Sequence, residues 1–294
     1  MKILEINGVG DKDTVSRLQQ YLGVTQYGEI TIKKSLHKWC PAIKSVEYAD
    51  KPSDTVKALQ KWLGFKNPDG LWGEITSRNL QKRIGIENPD GIFGPISVKA
   101  LQRFLNYAPF KSDKVIIGHA AANERGGLAG GKAGDQTGRE VTFSNWSYSA
   151  TKGAYSHWMY VFRAKDPTVR LKLARAMMDT CNNNLIGYDT GRPDRFTAYD
   201  EAERKFWNIA AIDRKCETTC SQAVSMCMRA AGISKEYAPR FCDIATLTRV
   251  MLSDKQFDCY TDPGHLIKSV FLQPGDILLS GHHTAIVVMS PITP

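Results

Sequence analysis

The sequence predicts a two-domain α+β protein, with an all-α repeat domain of three-helix type over residues 1–108 and an α+β domain over residues 109–294. Three observations predict this division. A repeat with a fixed period occupies the N-terminal part, the composition changes after Pro109, and both helical and strand patterns occur beyond it. The length of 294 residues suits one large domain or two ordinary ones, so length alone does not decide.

The composition is that of a globular protein, with 42% hydrophobic and 23% charged residues. No stretch approaches the roughly 20 apolar residues that span a bilayer, and the N-terminus lacks the features of a secretory signal. We therefore expect synthesis in a cytoplasm. Seven cysteines, an odd number scattered through a long chain, favour a reducing compartment and at least one free thiol.

The net charge of +9 is spread along the chain. Residues 1–110 hold 16 Lys and Arg against 11 Asp and Glu, and there is no polybasic run. Diffuse positive charge suits any polyanion, whether nucleic acid or an anionic cell wall. A nucleic-acid binder would need a basic helix or an aromatic-rich sheet, and neither pattern occurs, so we expect no nucleic-acid partner.

An internal repeat with a period of 21 residues runs from residue 55 to residue 107. Each copy joins a helical pattern to a Pro-Asp-Gly turn, in which proline presets φ and glycine supplies a positive φ. A degenerate copy with a shortened turn precedes them at residues 14–39. The pattern predicts small helical bundles, with Thr76 and Ser97 capping the following helices. The Leu-Gln pairs of the repeat are 59/60, 80/81 and 101/102.

The repeated pattern, V-x-x-L-Q-x-x-L-G followed by D-G-x-[WF]-G-x-x-[TS], resembles the peptidoglycan-binding domain of the first type, a three-helix module of wall hydrolases. The resemblance covers about residues 10–108. It implies that this domain binds bacterial peptidoglycan, with Trp72 and Phe93 as candidate substrate-binding residues. Both aromatic residues also fit core positions of the bundle, so packing is the alternative for each.

Residues 118–138 are rich in glycine and poor in large apolar groups, which predicts a loop. Their D-Q-T-G-x-E segment, followed by Trp146, resembles an N-terminal element of phage wall peptidases, which makes Trp146 a further candidate for substrate binding. The glycines lack the G-x-G-x-x-G spacing and the G-K-[ST] sequence of phosphate loops, so we expect no nucleotide.

Residues 216–233 predict a helix that begins at Cys220 and stops at Gly232. At a helix start, peptide dipoles and free N–H groups favour negative charge, which would lower the pKa of the thiol and suit a nucleophile. Cys227 lies on the buried stripe of this helix and fits packing. Cys216 is the competing nucleophile, although it precedes the helix.

A nucleophilic cysteine needs a base, and residues 273–288 predict a β-hairpin whose second strand opens on His283. A histidine at a strand start can be held rigidly against the end of a facing helix. Together, Cys220 and His283 form a stronger signal than either residue alone.

These two segments resemble the papain-like cell-wall peptidases of the NlpC type and, more loosely, the CHAP amidases and endopeptidases. The family motif D-C-S-x-x-V falls on residues 219–224, and H-[VT]-[GA]-I-[VY] falls on residues 283–287. The resemblance implies a papain-like fold, in which an antiparallel sheet packs on the nucleophile helix. It also implies that Cys220 is the nucleophile and His283 the general base. The motif P-G-D-[ILV] at residues 274–277 and the I-G-Y-D segment at residues 186–189 also fit.

Two departures from that family concern the support of the pair. Thr219 stands in place of the aspartate before the cysteine, and too little chain follows Val288 to supply the residue that orients the histidine. The candidates for an orienting or oxyanion role are therefore Asp276, Asp213 and Gln136, and a Cys–His dyad is the alternative.

A zinc site is the main chemical alternative, since Cys216, Cys220, His282 and His283 are potential ligands. Adjacent residues of a strand point to opposite faces, so the two histidines cannot easily chelate one ion. We therefore expect neither a metal nor a cofactor.

The sequence as a whole resembles a bacteriophage endolysin. This resemblance implies a monomeric peptidoglycan hydrolase that cleaves a γ-D-glutamyl–diamino acid bond through a Cys–His thioester mechanism. It would be made in the host cytoplasm, would not insert into the membrane, and would reach the wall through a membrane lesion. An N-acetylmuramoyl-L-alanine amidase of CHAP-like type and a non-catalytic wall-binding protein remain alternatives.

Overall fold

The computed structural model describes residues 4–108, 112–121, 134, 136, 140–191 and 193–291. The chain divides into two compact units, Met1–Pro109 and Phe110–Pro294. Helices and a mainly antiparallel sheet confirm the predicted α+β class. Within the described ranges, no helix is long and apolar enough to cross a membrane.

The first unit combines helices with a pair of short parallel strands, so the prediction of an all-α domain is wrong. The helices are α1 (Lys12–Tyr21), α2 (Asp54–Trp62), α3 (Glu74–Arg83) and α4 (Pro95–Tyr107), and the strands are β1 (Ile30–Ile32) and β2 (Val46–Tyr48). Both strands lie between helices α1 and α2 along the chain, and the buried, β-branched Ile30 and Ile32 favour extended backbone in the first of them.

Each repeated glutamine holds a glycine turn in this unit. The N–H of Gly70 donates to Oε1 of Gln60 at 2.8 Å, and Nε2 of Gln60 donates to Oδ1 of Asp69 at 2.7 Å and to Oγ1 of Thr76 at 3.2 Å. Gly70 has a φ of +74°, which favours glycine. In the next repeat, Gln81 makes the corresponding contacts with Gly91, Asp90 and Ser97.

The prediction that Thr76 and Ser97 cap helices is therefore wrong. Helix α3 begins after Gly73 and helix α4 after Gly94, so both hydroxyls lie inside the first helical turn. They accept hydrogen bonds from the repeated glutamines instead of from the helix backbone.

A further copy of the turn lies near the N-terminus, and its glutamine comes from the last helix, as Gln102 of α4. The repeats therefore form a closed array, in which the first turn contacts the last helix. The N–H of Gly8 donates to Oε1 of Gln102 at 3.1 Å, and Nε2 of Gln102 donates to Oδ1 of Asn7 at 3.0 Å and to Oγ1 of Thr14 at 3.1 Å. Gly8 has a φ of +82°. Gln19 makes the remaining contact of this kind, with Gly28 and Thr55. The first turn is thus tied to the last helix.

Replacing Gln102 by alanine is expected to lower the free energy of unfolding of this unit by about 1–3 kcal/mol, because the buried Gly8 N–H loses its acceptor. Gln20→Ala on the exposed side of α1 is the matched control and should have little effect. Chemical denaturation measures the change, and hydrogen exchange of the α1 and α4 amides assigns it to this unit. Equal stability of the two variants would contradict the proposed closure.

The second unit contains a six-stranded sheet with the strand order β4-β3-β10-β9-β5-β8, in which neighbouring strands are antiparallel. The predicted hairpin is confirmed, since its two strands pair directly. The strands are β3 (Ile116–Ala120), β4 (Val141–Asn145), β5 (Trp158–Ala164), β8 (Phe257–Tyr260), β9 (Ile277–Ser280) and β10 (Thr284–Met289).

The loop predicted for residues 118–138 is wrong at its start, because residues 118–120 continue strand β3. Gly118 lies there for packing. A Cβ atom at this position would be 2.5 Å from Cγ of Met177, so only glycine lets helix α5 (Pro167–Asn182) approach the strand this closely. Residues 122–133 lie outside the described part of the chain.

Helices α5 and α7 (Cys220–Ala230) pack against β10 and β3 of this sheet. A parallel pair of strands, β6 (Ile186–Tyr188) and β7 (Cys216–Thr218), leads into α7. The remaining helices are α6 (Thr197–Arg204), α8 (Ile244–Ser253) and α9 (Pro263–Leu266). The papain-like topology itself stays a prediction.

Candidate active site

Helix α7 begins at Cys220, as the sequence predicts. The side chain of Thr219 caps the helix by accepting a hydrogen bond from the N–H of Gln222 at 3.3 Å. Compared with the aspartate of the NlpC-type motif, threonine at this position preserves the helix start and places no negative charge beside the thiol.

The thiol of Cys220 is buried, with 8% of the residue exposed. Burial raises the pKa of Cys220, while the N–H groups of Thr284, Ser221 and Cys220 itself oppose this change. The expectation of a lowered thiol pKa is therefore wrong, because desolvation exceeds the contribution of the helix start. The thiol of Cys220 is therefore neutral and needs a base to become a nucleophile.

His283 lies directly before β10, and Thr284 is the residue whose N–H faces the sulfur of Cys220. The hairpin turn holds His283 at both ends of its backbone. Its N–H donates to Oγ of Ser280 at 3.0 Å, and its carbonyl oxygen accepts from the N–H of Ser280 at 2.8 Å. Its ring is buried, and the ring of Tyr155 packs edge-to-face on it at a centroid distance of 4.9 Å.

The side chain that is hydrogen-bonded to the ring of His283 is another histidine, His119, from the neighbouring strand β3. Nδ1 of His119 lies 2.8 Å from Nε2 of His283, and Nε2 of His119 lies 2.8 Å from Oγ of Ser144 on β4. The sequence prediction missed His119, which fell in a segment interpreted as a loop. The run of β-branched residues at positions 115–117 is the signal that could have placed it on a strand.

Both imidazoles are neutral at neutral pH. Burial lowers the pKa of His119 to about 4. Burial and the neighbouring His119 lower the pKa of His283 to about 3. In a neutral pair, one ring must donate and the other accept at the shared hydrogen bond.

The three candidates for an orienting residue have other partners. Asp276 is fully buried and accepts two hydrogen bonds from Arg163, each 2.7 Å long. Asp213 forms ion pairs with Arg204 and Lys205 at the surface. The orienting role predicted for Asp276 and Asp213 is therefore wrong, because these carboxylates are held by cations rather than by His283.

Gln136 is also occupied away from His283. Its Nε2 donates to the carbonyl oxygen of Cys216 at 3.1 Å and to Oε1 of Glu217 at 2.7 Å, which ties it to β7. The orienting role predicted for Gln136 is wrong for this reason, and its contacts support the strand that precedes Cys220. Of the D-Q-T-G-x-E segment, only Gln136 and Glu140 are described; its other residues lie outside the described ranges.

The aromatic residues predicted to bind substrate do not share one environment. Trp72 and Phe93 are 1% and 0% exposed, and their ring centroids lie 5.7 Å apart in the core of the first unit. Their burial leaves no ring surface for a ligand, so the substrate-binding prediction is wrong for both. Trp146 is half-buried beside the apolar cluster of Val115, Ile117 and Trp158, and its contact with substrate stays a prediction.

Cys216 is a poor competitor for the nucleophile. It lies on strand β7, and burial raises the pKa of its thiol to about 12. The zinc alternative also lacks support, since the described residues contain no group of three or more His, Cys, Asp or Glu arranged to hold a metal ion.

Tyr188 is a further polar group near the thiol that the sequence did not single out for a role. The parallel pairing of Tyr188 with Thr218 brings strand β6 alongside the residues that lead to Cys220. Burial raises the pKa of Tyr188, with smaller contributions from Cys220 and Tyr155. Its hydroxyl therefore stays protonated and can donate a hydrogen bond.

These features define an α+β protein in which a helix that starts at a cysteine packs against the two strands associated with a buried pair of histidines. A family model described as an endolysin-like domain matches residues 117–291, a span that contains His119, Cys220 and His283. The chain therefore belongs to the endolysin-like domain family, and this membership supports a cell-wall-lytic function with peptidoglycan as the substrate. No curated protein and no solved structure matches the chain.

Proposed function

We propose that this chain is a cysteine peptidase of peptidoglycan, with Cys220 as nucleophile, His283 as general base and His119 as the residue that orients His283. One observation carries the proposal. The start of helix α7 packs against β10, where the backbone N–H of Thr284, the residue directly after His283, opposes the rise in the pKa of Cys220, while the ring of His283 is hydrogen-bonded to His119.

The hydrogen-bond chain assigns the tautomers that a base requires. Nε2 of His283 is occupied by His119, so Nδ1 of His283 is the atom left for proton transfer. It can accept a proton only if Nε2–H of His283 donates to Nδ1 of His119. His119 then carries its proton on Nε2 and donates to Oγ of Ser144.

Catalysis proceeds by a thioester. Nδ1 of His283 takes the thiol proton as the sulfur of Cys220 attacks the amide carbonyl, and the same imidazolium then protonates the leaving amine. Water, activated by His283, hydrolyses the thioester and restores the thiol. The N–H of Cys220 at the start of α7 donates to the developing oxyanion.

With the pKa of Cys220 raised and that of His283 lowered, the resting site is neutral rather than a thiolate–imidazolium pair. Proton transfer from Cys220 to His283 therefore accompanies attack on the amide carbonyl.

The proposed substrate is an amide bond of the stem peptide, the γ-D-glutamyl–diamino acid bond. The first unit is proposed to bind the wall, on the strength of its repeated Leu-Gln and Asp-Gly-x-aromatic pattern. Such a module raises the local concentration of the catalytic unit at an insoluble substrate.

Mass spectrometry of the products released from purified peptidoglycan tests this function. We expect a new amino terminus on the diamino acid and no new reducing end. A free L-alanine amino terminus would show the CHAP-like amidase instead, and a new reducing end would show a glycosidase. Peptidoglycan left intact by the wild-type chain, with binding retained, would contradict the enzymatic proposal and favour a wall-binding protein.

A further inference from the structure

We propose that the first unit binds uncharged glycan in a cleft formed where an insertion interrupts its repeat. This cleft, the inserted-turn cleft, is lined by residues 23–25, 27, 29, 31, 47 and 51–55. The inference rests on the proposed wall-binding function of this unit, and it adds the location of the site and the part of peptidoglycan that it recognises.

The insertion follows from comparing the glycine turns. Gly8, Gly70 and Gly91 are each followed six residues later by the hydroxyl residue that shares their glutamine, namely Thr14, Thr76 and Ser97. Gly28 instead shares Gln19 with Thr55, and strands β1 and β2 lie between them. Insertions in repeat proteins map to loops on one face, which is often the binding face.

The insertion leaves open space beside the turn. The inserted-turn cleft has a volume of about 740 Å³, within the range of small-ligand sites. Two polar residues that line the cleft are held by hydrogen bonds. The side chain of Ser53 caps helix α2, and the hydroxyl of Thr55 accepts a hydrogen bond from Gln19 at 3.1 Å. Both residues are buried, so the shape of the cleft is set by the repeat itself.

The charge of the cleft argues against an anionic ligand. Glu29, Glu47 and Asp54 face it with a single cation, Lys51, although the chain as a whole carries +9. An acidic cleft in a basic protein repels phosphate-containing wall polymers. It favours a neutral ligand whose hydroxyl and amide groups donate to carboxylates.

An exposed aromatic ring gives the cleft a surface on which a sugar ring can stack. Tyr27 lines the cleft and is 73% exposed, although a tyrosine gains stability by burying its ring. The negative face of the ring suits the C–H groups of a pyranose. Nearby, Oγ1 of Thr31 donates to Oε2 of Glu47 at 2.9 Å, which holds that carboxylate in place. An aromatic platform beside a fixed carboxylate matches a neutral N-acetylated sugar.

Titration of the full chain carrying Cys220→Ala with the tetrasaccharide of N-acetylglucosamine tests the cleft. We expect saturable binding that Tyr27→Ala weakens at least about tenfold, because the stacking platform is lost. Tyr48→Ala is the matched control: Tyr48 is 50% exposed in the same unit but does not line the cleft, so affinity should not change. Glu29→Gln, which is also exposed and leaves the fold intact, should weaken binding as well.

Two outcomes would overturn the inference. No saturable binding of the tetrasaccharide, or equal affinity of the Tyr27→Ala and Tyr48→Ala chains, would remove the cleft as a glycan site. Sedimentation with whole walls separates this failure from that of the proposed function. If the chain sediments with walls regardless of Tyr27 and Glu29, wall binding stands and the cleft does not; if no form of the chain sediments, the wall-binding proposal itself is wrong.

Discussion

Replacing Cys220 by alanine is expected to abolish the loss of turbidity of purified cell walls, with a fall in rate on the order of 10⁴-fold or more. The reason is chemical: the thioester is proposed to form on the sulfur of Cys220, and burial keeps the thiol of the competing Cys216 protonated. The chain should still sediment with walls, because the substitution removes one small buried group from the second unit. Turbidity and sedimentation, measured on the same preparation, separate catalysis from binding.

The matched control variants are Cys216→Ala and Cys259→Ala. Cys216 lies on strand β7 just before the nucleophile, and Cys259 is exposed on strand β8. Both should retain most of the wild-type rate. Normal lysis by Cys220→Ala together with loss of lysis by Cys216→Ala would reverse the assignment, and loss of activity on adding a chelator would favour the zinc alternative.

Local patterns in the sequence were sufficient to predict the elements that carry the proposed nucleophile, Cys220, and the proposed base, His283. Helix α7 begins at Cys220 because Thr219 can cap it, and Gly232 allows it to end, both of which are properties of neighbouring residues. The hairpin before and after His283 follows from an alternation of turn residues and β-branched residues. Sequence patterns within about ten residues of each position thus predicted that Cys220 begins a helix and that His283 lies at the start of a strand.

The support of the base depends on contacts that no local pattern contains. His119 and His283 are 164 positions apart and meet because β3 pairs with β10 at the centre of the sheet. Gly118 indicated a loop by composition, whereas its actual role is to admit helix α5 against the strand. The same limit applies to the pKa of Cys220, since the helix start is visible in the sequence but the burial that outweighs it is not.

A third case was accessible from sequence and was missed. Asn7-Gly8 is followed by Thr14 at the spacing that separates Gly70 from Thr76, so the N-terminal turn belongs to the repeat. Its glutamine partner, Gln102, comes from the last helix of the unit. In the other repeats the glutamine precedes its glycine by about ten residues, so the repeat pattern alone does not pair Gly8 with Gln102. Leu4 is held to the same last helix, because it exchanges two hydrogen bonds with the side chain of Asn106.

Removal of the imidazole of His119 is expected to have the second-largest effect on catalysis. In His119→Ala, kcat/KM for a soluble muropeptide should fall about 10²-fold, because Nε2–H of His283 loses its acceptor and the ring can adopt the wrong tautomer or orientation. His119→Asn should recover part of the rate, since the amide oxygen can accept the same hydrogen bond. Ser144→Ala removes only the last group of the hydrogen-bond chain that runs from His283 through His119, so it should lower kcat/KM less.

The pH profile distinguishes this positioning role from a general loss of structure. His283 must be neutral to act as a base, and its pKa is lowered first by burial and then by His119. Removing His119 admits water and takes away the like-charged neighbour, so the pKa of His283 rises toward its ordinary value near 6.5. The acid limb of kcat/KM should therefore move to higher pH in His119→Ala. His282→Ala, an exposed neighbour, is the control and should leave the limb unchanged. A lower rate with an unmoved acid limb would mean that His119 only supports the fold of strand β3, and the base would then have to be oriented by another group.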